Sequence, residues 1–221
     1  ALEGYTRTFD GVVAVNGADD PNDELDDILG GKGLSYGADL LVRKEVGSLT
    51  GWAALSFLKA DRTFPDAYSP FIPQPEVTYP PIFDRRIDFD LVLRYPLPFG
   101  GDGGLRWNFG TGIPYTRPIG SHRYYLPDFL REQGLLDRDG SAVVLGERNG
   151  SRYAPYHRLD LSFRKTFEKP WGTLVPYLDL VNVYNRKNVL FYFFNYRARP
   201  PTRSGISMFP ILPTFGFEVQ F

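Results

Sequence analysis

The chain has 221 residues, with 25 Lys and Arg against 26 Asp and Glu, a net charge of −1 and no cysteine. That length carries one domain, and the balanced charge gives no field to hold a polyanion, so nucleic acid is excluded as a partner. Without cysteine there is no disulfide framework, thiolate metal site or cysteine nucleophile.

The two histidines, His122 and His157, are too few for most metal-dependent or histidine-based catalysis. They read as polar groups of a loop and of a strand start. No apolar run approaches the roughly 18 residues of a transmembrane helix, but a transmembrane β-strand needs only about 9–11, half of them polar. A composition of 18 Phe, 14 Tyr, 23 Gly, 19 Pro and one Met favours β-structure with long, punctuated loops.

In chain order, the first element is under way at once. Ala1-Leu2-Glu3-Gly4-Tyr5 opens without Met, and Leu2 to Phe9 reads as a strand, so a mature or truncated piece is expected, with any targeting segment missing. Ser35 to Lys44 sets Tyr36, Ala38, Leu40 and Val42 against Gly37, Asp39, Leu41 and Arg43. Leu49 to Lys59 is apolar on both faces. Arg86 to Leu97 is the clearest strand, with Ile87, Phe89, Leu91, Leu93, Tyr95 and Leu97 on one face and Arg86, Asp88, Asp90, Val92 and Arg94 on the other. Leu105 to Thr111 follows. Arg158 to Phe167 puts Leu159, Leu161, Phe163 and Phe167 opposite Arg158, Asp160, Ser162, Arg164 and Thr166. Leu174 to Tyr184 changes parity, which predicts a bulge near Leu180–Asn182. Thr214 to Phe221 closes the series with Phe215, Phe217, Val219 and Phe221 on one face. A period of two with one apolar and one charged face is a strand buried on one side.

The connections between these strands alternate in length. Val46–Leu49, Pro98–Gly103 and Lys169–Gly172 are short Gly/Pro turns, whereas Gly11–Gly33, Pro65–Asp84, Ile113–Pro155 and Asn185–Pro210 are long loops. One short helix is expected inside the third, over Pro127–Gln133. Short turns at one end and long loops at the other are the layout of an outer-membrane barrel. Aromatics near strand ends (Tyr36, Trp52, Tyr95, Trp107, Trp171 and Tyr177) fit interfacial girdles. The stripe Phe215, Phe217, Val219 and Phe221 resembles the signal by which such barrels reach their assembly machinery.

A series of motifs then runs in order over nearly the whole chain. It starts with SYGADLLVRK at 35–44, LTGW at 49–52 and FDRR at 83–86. It continues with GTGIPYT at 110–116, YHRLDLS at 156–162, VNVYNRKN at 181–188 and FPILPTFG at 209–216. This series resembles the C-terminal part of a TonB-dependent outer-membrane receptor. One departure is Ile87, where the family often carries His.

The resemblance implies an all-β, antiparallel transmembrane barrel of about 22 strands with a plugged lumen, of which this chain supplies the last eight or so. The plug and the first strands are absent from the sequence given. Implied partners are outer-membrane lipid, the rest of the receptor and, through the missing part, the inner-membrane TonB complex; a surface lipoprotein is a further candidate. The implied role is energy-coupled uptake of a scarce solute, with no cofactor and no chemistry on the solute. Two other readings are a self-contained eight-stranded barrel with an adhesive or structural role, and a secreted β-domain that binds carbohydrate through its aromatics.

The candidate site residues divide into two groups. Arg86, Asp88, Asp90, Arg94, Arg158, Asp160 and Arg164 are expected to face the lumen, where they pair with one another, with the plug or with substrate. Asp19, Asp20, Asp23, Glu24, Asp26 and Asp27 form an acidic loop whose carboxylates are hard oxygen donors for Ca²⁺ or substrate contacts, without an EF-hand pattern. The aromatic run Phe191–Tyr196 reads as a strand above the membrane or as a stacking surface.

Overall fold

A computed structural model describes residues 1–15, 28–65, 76–124, 140–196, 198 and 200–221. The acidic stretch Asp19–Asp27 and the expected helix at Pro127–Gln133 lie outside the described residues. Those described form an all-β, antiparallel architecture with no helix.

The main sheet runs in sequence order. It comprises β1 (Leu2–Val15), β2 (Ile28–Lys44), β3 (Thr50–Phe64), β5 (Ile87–Pro96), β6 (Asp102–Gly110), β11 (Tyr156–Arg164), β13 (Gly172–Val181) and β16 (Leu212–Gln220). Two short pieces complete it. β4 (Val77–Tyr79) extends the partner line of β3 beyond β5, and β12 (Phe167–Lys169) carries on from β11. Phe163 faces Leu178 and Phe167 faces Leu174, so β11 and β12 keep one register against β13.

Three two-stranded units sit in the long connections: β7 (Pro114–Tyr115) with β10 (Ser151–Arg152), β8 (Pro118–Tyr124) with β9 (Gly140–Leu145), and β14 (Val189–Asn195) with β15 (Thr202–Ser207). All long connections leave one end of the sheet and all tight turns the other. The turn after β5 closes through Leu97 N–H to Gly101 O at 2.9 Å, with Gly101 at φ 94, a conformation glycine adopts without steric cost.

Register decides the faces. Across β3, β5, β6 and β11, Ala53, Leu91, Trp107 and Leu159 stand in one cross-strand row. The next rows on that face are Leu93, Leu105, Leu161, Leu180 and Pro213, then Tyr95, Gly103, Phe163, Leu178 and Phe215. The opposite face carries Asp39, Ser56, Asp88, Gly110 and Tyr156 in one row, and Arg94, Gly104, Ser162, Asp179 and Thr214 in another.

None of the described residues covers the apolar face. Phe215 is 85% exposed and Phe217 71%. Among the described residues the only buried hydrophobics are Ala60, Phe64 and Tyr79. The accessible surface is 15846 Å², against about 10,300 Å² for a compact monomer of this mass. A sheet with one apolar face must bury it against something, and none of the described residues of this chain does so. The sheet also stays open, because β1 and β16 do not pair with each other.

Several sequence expectations need correction. β1 and β2 run well into the stretch expected as a loop from Gly11 to Gly33. The alternation is masked there by a bulge at Gly11 (φ 74), which inserts one residue between Asp10 and Val12 and reverses the face of everything after it. The parity change expected near Leu180–Asn182 is present as one extra residue against β11: Leu161 pairs with Leu180, yet it is the Val183 N–H that donates to Leu159 O, at 2.8 Å. Against β16 the ladder holds register to Val181, and Asn182, at φ 56, then leaves the strand. Trp52 pairs with Arg43 and Val92, and Tyr177 with Arg164 and Gly216, so both rings lie on the polar face and not in an apolar girdle. Phe191–Tyr196 is a strand over most of its length, but it belongs to the separate β14–β15 hairpin.

Two cross-strand pairs set a tyrosine over a glycine on the polar face, Tyr5 over Gly37 and Tyr177 over Gly216. The ring fills the space that a missing side chain leaves. A Cβ on Gly37 would strike the Phe57 carbonyl and lie 2.6 Å from the Tyr5 hydroxyl, whereas one on Gly30 meets nothing within 4 Å. Gly37→Ala should therefore lower stability by about 1–3 kcal/mol, and Gly30→Ala should change it little. Thermal melts of the two variants make the comparison.

Candidate functional site

The candidate functional surface is the polar face together with the loop end above it. On the polar face the charged residues are held in pairs. Arg94 donates to Asp102 at 2.7 Å, Arg85 to Asp88 at 2.6 Å and Arg158 to Asp160 at 2.8 Å. Asn108 donates to Asp90, and Arg164 reaches Glu218 at 3.6 Å while lying over the Tyr177 ring. The seven charged residues expected to share this face thus each have a partner; Arg86 sits just before β5 and turns to Asp84 at 2.9 Å.

Toward β1 the same face sinks into a hollow of about 600 Å³, whose walls include Glu3, Arg7, Asp39, Arg62 and Phe83. Both signs of charge line it, so it suits a mixed polar surface better than a single ion.

Two knots close the loop end. The first centres on Asp84, which is fully buried. Its carboxylate accepts the Ala60 N–H at 2.8 Å, Arg86 Nε at 2.9 Å and a guanidinium nitrogen of Arg152. Arg152 also donates to the Asp84 carbonyl at 2.6 Å and to Gly112 O at 3.0 Å. The knot ties the FDRR segment to the GTGIPYT segment, and Thr111 Oγ1 accepts the Ile87 N–H at 3.0 Å in the same place. Asn149, at φ 54, joins it by donating to Pro80 O at 2.8 Å.

The second knot is built from VNVYNRKN. Buried Asn182 donates to Arg186 O and Phe209 O, both at 3.0 Å, and its own N–H is accepted by Asp160 at 2.9 Å. Asn188 bridges the His157 backbone, accepting its N–H at 3.1 Å and donating to its carbonyl at 2.9 Å. Asn185 accepts the Ile211 N–H at 3.1 Å. His157 Nδ1 meets the Tyr184 hydroxyl at 2.8 Å. This is a structural use of the histidine.

An aromatic cluster stands above the knots. Tyr115 and Tyr153 lie 4.4 Å apart, Tyr153 and Tyr192 5.2 Å, and Arg203 covers Tyr192 at 4.4 Å. Burial, then the neighbouring Tyr115 and Tyr192, pushes the Tyr153 hydroxyl above the ordinary tyrosine value of 10.0. Tyr153 is therefore a neutral hydrogen-bonding group at physiological pH.

Asp84, Arg152, Asn182 and Asn188 were not singled out from the sequence as site residues. The asparagines carried a signal, since Asn tolerates positive φ at turns better than most residues. Arg152 carried none, being 68 positions from Asp84. Together these residues supply paired charges, tight turns and a ring platform. Among the described residues no group of three or more His, Cys, Asp and Glu is placed to hold a metal. Compared with known proteins, the chain matches no family model, no curated protein and no solved structure.

Proposed function

We propose that this chain is the C-terminal portion of the barrel of a TonB-dependent outer-membrane transporter, and that its work is energy-coupled uptake of a scarce solute. The observation that carries the reading is the apolar face, which runs across the meander from β2 to β16 with none of the described residues packed over it. Lipid is the cover such a face requires. The segregation of tight turns and long loops to opposite ends supports the same reading. So do the open edges of β1 and β16, which favour a larger barrel over one closed by these strands alone, because an unpaired edge in lipid leaves backbone groups unsatisfied.

In this role the paired charges of the polar face line the lumen against a plug, and the loop-end knots hold the extracellular loops in place. Solute binds to loops and plug, and the inner-membrane complex moves the plug. The stripe Phe215, Phe217, Val219 and Phe221 is the segment read during assembly. No step alters the solute chemically.

Because the sequence contains no cysteine, single cysteines report the faces cleanly. In the intact receptor in outer membranes, Leu159→Cys should resist a water-soluble maleimide and Ser162→Cys should react. Equal labelling would overturn the membrane reading. For transport, cells lacking the gene should lose uptake of one solute from a panel of iron chelates, cobalamin, oligosaccharides and peptides. In wild-type cells, dissipating the proton gradient should stop that uptake; uptake that survives would overturn energy coupling.

A further inference from the structure

We propose that the groove between the β8–β9 and β14–β15 hairpins binds an anionic ligand that carries a planar ring. The groove holds about 380 Å³ and is walled by Arg117, Ile119, Phe194, Tyr196, Thr202 and Arg203, among others, with no described acid in the wall. That volume lies within the range of small-molecule sites, about 300–1,000 Å³.

Its floor is flat and aromatic. Phe194 and Tyr196 stack with centroids 6.2 Å apart and planes only 9° from parallel. They are two residues apart, so the extended chain brings both rings to one side. The Tyr196 hydroxyl donates to the Pro118 carbonyl and so ties the two hairpins together across the groove. Tyr192 meets Phe194 edge to face, 6.4 Å away, and links the groove to Tyr153 and Tyr115.

Two cations stand at this floor. Arg203 is the register partner of Phe194, and its guanidinium already rests 4.4 Å over Tyr192. A side chain held in this way loses less freedom when a ligand binds. Arg117 enters from the other hairpin, beside Pro118, to whose carbonyl Tyr196 donates. A planar guanidinium pairs with a carboxylate or phosphate through two parallel hydrogen bonds. The site therefore asks for two features in one molecule: a negative group for the arginines and a flat face for the rings. A neutral ring makes only the stacking contact and a ringless anion only the charge contact.

That this ligand is the imported solute rests on the transporter reading. The affinity of the groove does not, so binding and uptake separate the two claims. The whole protein, purified in detergent, is tested by equilibrium dialysis with 1-naphthoate, 1-naphthamide and acetate. Naphthoate should bind at least about tenfold more tightly than either of the others. Arg203→Gln and Arg117→Gln should each bring naphthoate toward the naphthamide level, and Phe194→Ala should weaken both ring compounds alike. Arg203→Lys keeps the charge without the fork and should fall between wild type and Arg203→Gln, which separates loss of the contact from loss of the fold. Binding that is absent or equal for the three probes, or naphthoate affinity unchanged in both glutamine variants, would overturn the proposal. Tight naphthoate binding in a protein whose Leu159→Cys and Ser162→Cys variants label equally would keep the groove and remove the membrane reading.

Discussion

Asp84→Ala should destabilise the protein by about 3–5 kcal/mol, the cost of breaking a buried ion pair by removing one partner. The carboxylate is fully buried and is shared by Arg86, Arg152 and the Ala60 N–H. Truncation leaves two guanidinium groups facing each other without their common acid, and one backbone donor without an acceptor. The loss should not stay local. Arg152 also fixes the Asp84 and Gly112 carbonyls, so the loop after β6 and the approach to β5 come loose together. Asp84→Asn keeps an acceptor for Ala60 but loses the negative charge that the two arginines share, and should fall between wild type and Ala. Guanidinium unfolding of the whole protein in micelles gives the order. An Asp84→Ala variant as stable as wild type would show that the knot is a packing accident and not the clamp of the loop end.

Much of the sheet was legible because its alternation is strict where one face is apolar. Ile87 to Tyr95 and Leu159 to Phe163 declare their faces residue by residue, and the register places them as the alternation requires. The alternating loop lengths were equally plain, since Gly and Pro mark the tight turns. Legibility failed where the pattern had no single period. Leu49 to Lys59 is apolar on both sides, so Trp52 could be placed only by its neighbours Arg43 and Val92. The bulge at Gly11 and the glycines at 30, 31 and 33 made the upper halves of β1 and β2 look like loop. The site was less legible than the fold. Paired charges within one face follow from adjacent strands once the register is known. The Asp84 knot joins segments far apart in the chain, and the groove of Arg117 and Arg203 joins two hairpins that no periodicity announces. Contacts of that range depend on how loops fold back over the sheet, which no local pattern encodes.

Leu91→Arg is the substitution that asks most directly what covers the sheet. Leu91 lies in the cross-strand row between Ala53 and Trp107, near the middle of β5. If water covered that face, an arginine there would be a surface change worth no more than about 0.5 kcal/mol. Against a hydrocarbon core the same arginine must carry its charge into lipid, and the cost rises to about 2–4 kcal/mol at the midplane. Asp90→Asn, one residue away, tests the other face. Its carboxylate takes a hydrogen bond from Asn108, and an amide oxygen can accept the same bond. That change should cost under about 1 kcal/mol, because the polar face stays hydrated and the acceptor is kept. The measurement is folding of the intact receptor into phosphatidylcholine vesicles, followed by urea titration, for both variants and wild type. A large loss for Leu91→Arg with a small one for Asp90→Asn assigns lipid to the apolar face. Equal losses, or the reverse order, would mean that this face meets water or a protein partner, and the transporter reading would fall with it.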